Sequence, residues 1–348
     1  MRAPLTICIP TNRTFELLEP TLLSALNFCE TTKSQLILSN NSLDKNKENK
    51  LNQFKSSNVK VFKGPTIGVD NWYNAVKRSE SLYTLILCDD DIIFNLTKSK
   101  VNYEQARKHN VIGIKPTISL WNKNVGIYKE NTFHLDSEDP LERVLNYAKN
   151  CSGNNTSMYS FYDTKILKDL LSVFLYHPNR GGYTDWAFML ALASSGKIIH
   201  SPKDLLIYRN NNWFDIKSNL IKKERDLYLK AGIGNRGILY SYLFKAIDAF
   251  ILIFRRNSPI ISRKILLETA KAVLKRNLNL FLKNFEKNKI YYKNEEILAI
   301  SKIDIDKDLL TIFYNLLEVI IAFKKDLGDQ YKHFYLNAIG EKWGIVDV

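Results

Sequence analysis

The stretch Tyr83-Thr84-Leu85-Ile86-Leu87-Cys88-Asp89-Asp90-Asp91 is an apolar run followed directly by three aspartates. Its apolar run is typical of a buried parallel strand, and open α/β sheets place their ligands beyond the carboxyl ends of such strands. Composition alone could produce an acidic triplet, because 36 of the 348 residues are Asp or Glu. A solvated charge run would normally lie in a polar loop or on a helix face, not directly behind an apolar strand. Three crowded carboxylates repel one another unless a cation shares them, so the stretch predicts a site for Mg²⁺ or Mn²⁺.

Strand-like and helix-like segments alternate through the first ninety residues. Short apolar strands are predicted at residues 5–10, 35–39, 59–62 and 83–88. Amphipathic helices are predicted between them, at residues 15–28, 45–56 and 69–79. This alternation favours an α/β fold in which a mostly parallel, Rossmann-like sheet is flanked by helices.

A Gly-rich loop at residues 178–183 precedes a predicted helix at residues 184–195, which Gly196 ends. Strand-like segments follow at residues 197–200 and 205–208. We interpret this part of the chain as the completion of the same α/β domain.

The chain is predicted to form two domains, residues 1–214 and 215–348. After Trp213 the sequence is rich in Lys, Asn, Leu and Ile, and it has almost no strand signal. We therefore place the boundary near Phe214 and expect an α-helical C-terminal domain.

Composition excludes several classes of protein. A hydrophobic fraction of 45% excludes a disordered chain. The sequence has no run of eighteen or more uncharged apolar residues, and its amino terminus lacks the pattern of a signal peptide, so we expect a cytoplasmic protein. The four cysteines are widely spaced, which predicts neither a disulfide framework nor a zinc site.

Most of the net charge of +14 lies in one region, residues 217–290, which carry seventeen Lys and Arg against five Asp and Glu. Such a region can attract nucleic acid or the anionic surface of a bilayer. Within it, residues 239–254 are almost entirely apolar and aromatic. They suit either an interfacial helix on a membrane or a helix buried between neighbours.

Four motifs in a fixed order resemble those of the family 2 glycosyltransferases, which have the GT-A fold, over residues 5–213. The motifs are Ile7-Cys8-Ile9-Pro10-Thr11-Asn12-Arg13, Leu36-Ile37-Leu38-Ser39-Asn40-Asn41-Ser42-Leu43-Asp44, Gly68 with Asn74 ahead of the acidic triplet, and Gly181-Gly182-Tyr183-Thr184-Asp185. The resemblance implies an inverting enzyme of the bacterial surface-polysaccharide type, which makes O-antigen or capsule.

On this resemblance, the triplet would hold a Mn²⁺ or Mg²⁺ ion against the diphosphate of a nucleotide sugar. Asp89 and Asp91 match the aspartates of the family's DxD motif and are the predicted metal ligands, with Asp91 preferred, and Asp90 would contact the donor sugar. The residues predicted to bind the donor are Pro10, Thr11, Asn12, Arg13, Asn40, Gly68, Asn74, Asp89, Asp90 and Arg209.

The acceptor side is predicted from the last motif. Asp185 matches the family's acidic residue that takes the proton from the attacking hydroxyl group. An aspartate at the start of a helix also stabilises that helix, so a purely structural role is the alternative. Acceptor-binding residues are predicted at Gly181, Gly182, Tyr183 and Trp186. The two aromatic rings could stack on a sugar or belong to the core.

The chain departs from the family pattern in three places. The turn Pro10-Thr11-Asn12 lacks the family's tyrosine, and Ser39 or Asn40 stands where an aspartate usually reads the base. The stretch Tyr208-Arg209-Asn210-Asn211 does not end in the histidine that often occurs there. A UDP-sugar is the leading expectation for the donor, but the base is open.

We therefore expect a glycosyltransferase that adds one sugar to a glycan acceptor. The resemblance and the basic region together imply that this acceptor is lipid-linked and lies at the inner face of the cell membrane. Two alternatives come from other classes. A nucleotidyltransferase would carry a Gly-rich phosphate loop after the first strand, and residues 10–13 contain no glycine. A nucleic-acid-binding protein would use the basic region, which lacks a recognition motif, so no nucleic-acid partner is expected.

Overall fold

The computed structural model describes residues 3–97, 103–151, 154–210, 214, 217–260 and 262–340. Two residues of the sequence analysis, Asn211 and Trp213, lie outside the described residues. The strands are β1 (Leu5–Thr11), β2 (Gln35–Asn40), β3 (Val59–Lys63), β4 (Tyr83–Ile86), β5 (Ile92–Asn95), β6 (Val111–Asn122), β7 (Gly126–Asn131), β8 (Phe161–Asp163) and β9 (Lys197–Arg209).

The helices of the first half are α1 (Phe15–Thr32), α2 (Lys45–Asn52), α3 (Gly68–Val76), α4 (Tyr103–Lys108), α5 (Pro140–Asn150), α6 (Thr164–Phe174) and α7 (Asp185–Ser195). Those of the second half are α8 (Lys217–Lys230), α9 (Ser241–Ile253), α10 (Arg263–Asn288), α11 (Asn294–Ser301), α12 (Leu309–Phe323) and α13 (Lys325–Ile339). The predicted mixed α/β fold with a helical C-terminal region is confirmed.

The strands form one sheet in the order β3-β2-β1-β4-β8-β6-β9-β5, and β7 pairs with β6. The pairs β1–β2, β1–β4, β2–β3 and β6–β9 are parallel, whereas β5, β7 and β8 pair antiparallel with their neighbours. β9 is continuous where two short strands are predicted from the sequence, at residues 197–200 and 205–208. In the ladder between β6 and β9, Pro116 pairs with Ser201, but the next residue, Thr117, pairs with Leu205. This irregularity explains the apparent break between the two predicted strands.

The chain divides into two compact units. Unit 1 comprises Met1–Leu171 and Gly196–Asp215, and unit 2 comprises Ser172–Ser195 and Ile216–Val348. The chain therefore passes from unit 1 to unit 2 after Asp215, beside the predicted boundary at Phe214. The loop and helix at residues 172–195 belong to unit 2, because α7 packs against α9. This differs from the interpretation that they complete the α/β domain, which only the strand segments after Gly196 do.

The core of unit 1 lies between the sheet and α1. Leu5, Ile7 and Ile9 of β1 are buried together with Leu18 and Leu22 of α1. Burying aliphatic side chains contributes about 1.5–3 kcal/mol each, which holds the parallel strands in register. All four cysteines are free, as predicted.

Unit 2 is built around α9, which corresponds to the apolar segment at residues 239–254. Its residues from Leu243 to Ile253 are buried except for Lys245, and the helix packs against α7, α10, α12 and α13. The interpretation as a buried helix is confirmed, and the interpretation as an interfacial helix is wrong, because neighbouring helices cover its apolar surface. Among the described residues, none of the helices combines the length and apolar character needed to cross a bilayer.

Candidate functional site

The candidate site lies in unit 1, at the edge of the sheet where β1, β2 and β4 end. These strands are parallel, so their carboxyl ends meet at one edge. Thr11, the last residue of β1, is in register with Asn40, the last residue of β2. The acidic triplet follows the end of β4. The fold therefore brings the first two motifs and the triplet together, as the sequence analysis predicted for a ligand site.

Asp89 anchors the turn that follows β1. Its Oδ2 atom accepts hydrogen bonds from Thr11 Oγ1 at 2.8 Å and from the backbone amides of Asn12 and Arg13 at 3.3 and 3.4 Å. Its Oδ1 atom accepts a bond from Arg13 Nε at 2.9 Å. Both oxygens of Asp89 are thus occupied by groups of the protein.

Arg13 joins two members of the triplet. Besides its contact with Asp89, its terminal nitrogen lies 2.5 Å from Asp90 Oδ2. The guanidinium group offsets part of the negative charge of the two carboxylates. Arg13 is partly exposed, so it remains accessible to an anionic ligand at the edge of the sheet.

Lys47 is a site residue that the sequence analysis missed. Its ammonium group is buried and donates a hydrogen bond of 3.0 Å to Thr11 Oγ1. Burial lowers the pKa of Lys47 to about 8, although the charges of Asp89 and Asp44 favour its protonated form. The available signal was the spacing of Lys47 and Leu51, which puts both residues on the buried face of α2.

Asp91 is fully buried. Its Oδ1 atom accepts a hydrogen bond of 2.9 Å from the backbone amide of Arg209. Its Oδ2 atom is buried and has no hydrogen-bond partner among the described residues. Burial, and next the charge of Asp90, raise the pKa of Asp91 well above its ordinary value. An unpartnered buried carboxylate oxygen is costly, and a bound cation would offset that cost.

Arg209 connects the end of β9 to the triplet. In addition to its amide contact with Asp91, its side chain donates to the backbone carbonyl of Asp90. The described structure therefore places Arg209, a predicted donor-binding residue, beside the acidic triplet.

A divalent cation fits the carboxylates of Asp90 and Asp91. Potential ligand atoms of Cys88, Asp90 and Asp91 all lie within 4.8 Å of one another. Burial raises the pKa of the Cys88 thiol well above its ordinary value, and the thiol donates to Tyr159 Oη at 3.2 Å. A neutral thiol is a poor ligand for Mg²⁺ or Mn²⁺, whereas the free Oδ2 atom of Asp91 suits either ion. The predicted ligand role of Asp89 stays a prediction.

Two other predicted donor residues have protein partners. The Oδ1 atom of Asn40 accepts a bond of 3.2 Å from the amide of Ser42. Asn74 donates to Ser39 Oγ at 2.8 Å and to the carbonyl of Lys63 at 3.2 Å. Asn40 thus holds the turn after β2, whereas Asn74 ties α3 to the ends of β2 and β3.

The last two predicted donor residues lie at element ends near the same edge. Pro10 is in register with Ser39 in the β1–β2 ladder. Gly68 begins α3, and a Cβ atom at this position would meet open space.

The predicted acceptor residues belong to unit 2. Asp185 is the first residue of α7 and follows a 3-10 turn at Gly182–Thr184. The ring of Tyr183 stacks on that of Tyr228 at a centroid distance of 4.6 Å, and Lys245 Nζ lies 4.3 Å from the ring of Trp186. Both aromatic residues thus have packing partners within unit 2.

Gly181 is needed for close packing within unit 2. A Cβ atom at Gly181 would lie 2.7 Å from Ala231 Cβ and 2.9 Å from the ring of Tyr183. A side chain could not be added there without moving the loop that leads to Asp185.

Crystal structures of TarS from S. aureus resemble this chain. The structure of TarS residues 1–349 has a TM-score of 0.47 and 14% sequence identity, and the match covers 99% of this chain and 91% of that chain. The same fragment in complex with UDP-GlcNAc gives the same TM-score, identity and coverage. A longer TarS structure has a TM-score of 0.48 and 14% identity, and the match covers 98% of this chain and 55% of that chain. No family model and no curated protein matches the sequence.

Proposed function

We propose that this protein is an inverting glycosyltransferase that moves one sugar from a nucleotide-sugar donor to a glycan acceptor. The observation that carries the proposal is the buried Asp91 carboxylate, whose Oδ2 atom has no partner among the described residues. It lies with Asp90 at the carboxyl end of a parallel strand, where open α/β sheets bind nucleotides. Two carboxylates at such a place suit a metal-bound diphosphate better than they suit a structural role.

In the proposed reaction, residues of unit 1 bind and orient the donor. Arg13 is partly exposed beside Asp89 and Asp90, and we assign it a contact with the diphosphate. Asp90 and Asp91 would hold the cation, which when bound neutralises charge on the leaving diphosphate as a Lewis acid. Asn40 ends β2 and its side chain accepts a bond from the amide of Ser42 in the loop that follows, and we assign Asn40 and this loop to the base.

We assign Asp185 the role of general base. The oxygen of an acceptor hydroxyl group attacks the anomeric carbon, the bond from that carbon to the diphosphate oxygen breaks, and the hydroxyl proton passes to the Asp185 carboxylate. The electron pair of the broken bond leaves with the nucleoside diphosphate. A single displacement of this kind inverts the configuration at the anomeric carbon.

A thermal-shift series tests the donor site. We expect a UDP, GDP, dTDP or CMP ligand with Mn²⁺ to raise the melting temperature, because a ligand that binds only the folded state stabilises it. At a concentration of 100 times its Kd, the ligand adds about 2.7 kcal/mol, which corresponds to a shift of about 5 °C or more. Asp91→Asn is the control and should lose the shift with Mn²⁺. The absence of a metal-dependent shift with every nucleotide would contradict the proposal.

We further propose that the acceptor is lipid-linked and that the protein works in the cytoplasm, at the inner face of the membrane, in O-antigen or capsule synthesis. Burial of α9 removes that helix as a membrane anchor. A different surface supports the proposal: Ile290 and Tyr291, in the 3-10 turn just beyond the end of α10, are 86% and 60% exposed. Four exposed lysines surround these two residues, against two exposed glutamates, Glu286 and Glu295. The lysines are Lys283, Lys287, Lys289 and Lys293.

We expect the protein to sediment with vesicles that contain an anionic phospholipid and to remain free with zwitterionic vesicles. The double variant Ile290→Ser, Tyr291→Ser should bind the anionic vesicles about tenfold more weakly, since it removes apolar area that enters the interface. Leu145→Ser, at an exposed apolar residue of unit 1, is the matched control and should bind normally. Steeply salt-dependent binding to RNA or DNA without vesicle binding would instead favour the nucleic-acid alternative.

A further inference from the structure

A buried pair of polar residues, His177 and Asp248, lies in unit 2 beside the loop that leads to Asp185. His177 Nε2 is 3.1 Å from Asp248 Oδ1, and the two side chains are 0% and 1% exposed. Asp248 belongs to α9, whereas His177 lies just beyond the end of α6. The two residues are 71 positions apart in the sequence, so only the tertiary structure brings them together.

The hydrogen bonds of His177 define the position of its proton. Its Nδ1 atom accepts bonds from the backbone amides of Asn179 at 3.2 Å and Arg180 at 3.0 Å. Nδ1 therefore carries no proton, and the neutral ring carries its proton on Nε2, which donates to Asp248. The rings of Phe174 and Phe334 lie at centroid distances of 5.1 Å and fix the plane of the imidazole.

The loop held by His177 has a backbone that needs such support. Arg180 has a φ of 46°, in the left-handed region that residues with side chains seldom adopt. The amide of Arg180 is one of the two backbone amides that donate hydrogen bonds to His177 Nδ1. Further along, Thr184 donates to the carbonyl of Gly181 through its amide at 3.1 Å and through Oγ1 at 2.6 Å. The chain from Arg180 to Asp185 is thus hydrogen-bonded at both ends of the turn.

We propose that His177, oriented by Asp248, is a positioning residue for Asp185 in the proposed sugar transfer. His177 touches neither donor nor acceptor in this role. It holds the amides of Asn179 and Arg180, and through them it sets the path by which the backbone enters α7 at Asp185. The inference rests on the proposed function, because the position of Asp185 matters for catalysis only if Asp185 is the general base.

Two substitutions test the two hydrogen-bonding atoms of His177 one at a time. His177→Asn keeps an acceptor close to the position of Nδ1, whereas His177→Gln keeps a donor close to the position of Nε2. We expect kcat to fall about 10²-fold in His177→Gln, since small displacements of a catalytic group have effects of this size, and about fivefold or less in His177→Asn. The Kd for the nucleotide, which unit 1 binds, should stay within twofold in both variants.

Amide hydrogen exchange gives a readout that does not depend on activity. The amides of Asn179 and Arg180 should exchange slowly in the wild type and in His177→Asn, and faster in His177→Gln. A wild-type kcat in His177→Gln, despite lost protection, would overturn the positioning role. Equal losses of kcat and of melting temperature in both variants would also overturn it, because they would show a general structural role. A wild-type protein that transfers no sugar would overturn the proposed function itself, whatever the exchange rates show.

Discussion

Asp91→Asn is expected to reduce sugar transfer about 10³-fold, equivalent to about 4 kcal/mol of transition-state stabilisation, while the protein stays folded. The cation would be held by the carboxylates of Asp90 and Asp91, and the substitution replaces the second of these with a neutral amide. Folding should persist because the asparagine oxygen can still accept the Arg209 amide that Asp91 Oδ1 accepts at 2.9 Å. Initial rates with the donor identified by thermal shift, at saturating Mn²⁺, measure the effect.

The stability of Asp91→Asn should equal or exceed that of the wild type without metal. Burial, and then the charge of Asp90, hold the pKa of Asp91 above its ordinary value of 3.8. Between that pH and the raised pKa, the folded wild type therefore binds more protons than the unfolded chain, and its free energy of unfolding falls as the pH rises. Asparagine does not titrate, so this part of the decline should be missing from urea titrations of the variant.

Asp163→Asn is the matched control for Asp91→Asn. Asp163 is also a buried aspartate of unit 1, but it pairs with Tyr83 at the start of β4, away from the triplet. Its Oδ2 atom lies 3.0 Å from Nε of the half-exposed Arg107, so its substitution should cost about 1.5–3 kcal/mol and leave kcat unchanged. A tenth or more of wild-type transfer in a folded Asp91→Asn variant would refute the metal role of Asp91.

Asp185→Asn is expected to lower kcat by about 10²–10⁴-fold with little change in nucleotide affinity. The amide cannot accept the proton of the acceptor hydroxyl group. The donor Kd, measured by titration calorimetry with Mn²⁺, should stay within twofold, because Asp185 has no assigned role in donor binding. Asparagine is tolerated at helix starts, so the loss of the favourable interaction with the α7 dipole should cost about 1 kcal/mol or less.

Asp308→Asn distinguishes catalysis from helix stabilisation. Asp308 caps α12 of the same unit by accepting a bond of 2.9 Å from the amide of Thr311. Both substitutions should change the melting temperature slightly, but only Asp185→Asn should lose kcat. If the two variants retain similar activity, Asp185 is a helix-terminus residue and not the base.

Local patterns were enough to predict the first half of unit 1. Apolar runs correspond to β1, β2, β3 and β4, and the amphipathic segments between them correspond to α1, α2 and α3. The position of the triplet behind β4 was predictable for the same reason, since the direction of a parallel strand determines which edge its last residues reach.

Other features depend on contacts between distant segments. The segment at residues 239–254 has the same apolar pattern whether lipid or protein covers it. The packing of α9 against α7, α10, α12 and α13 shows that protein covers it. The buried Lys47 looked like one of several lysines in a polar helix. Its burial depends on where α2 lies relative to Thr11, and short-range periodicity carries no information on that distance.

The sequence alone determined that a parallel α/β sheet would present three carboxylates at a strand end, because strand period and strand direction are local properties. Only the tertiary structure divided those carboxylates: Asp89 is occupied by Thr11, Asn12 and Arg13, whereas Asp91 is buried with one unpartnered oxygen among the described residues. Likewise, only the fold joined His177 to Asp248. Hydrogen bonding and burial depend on which distant groups come within about 3 Å, and that is a property of the packed chain.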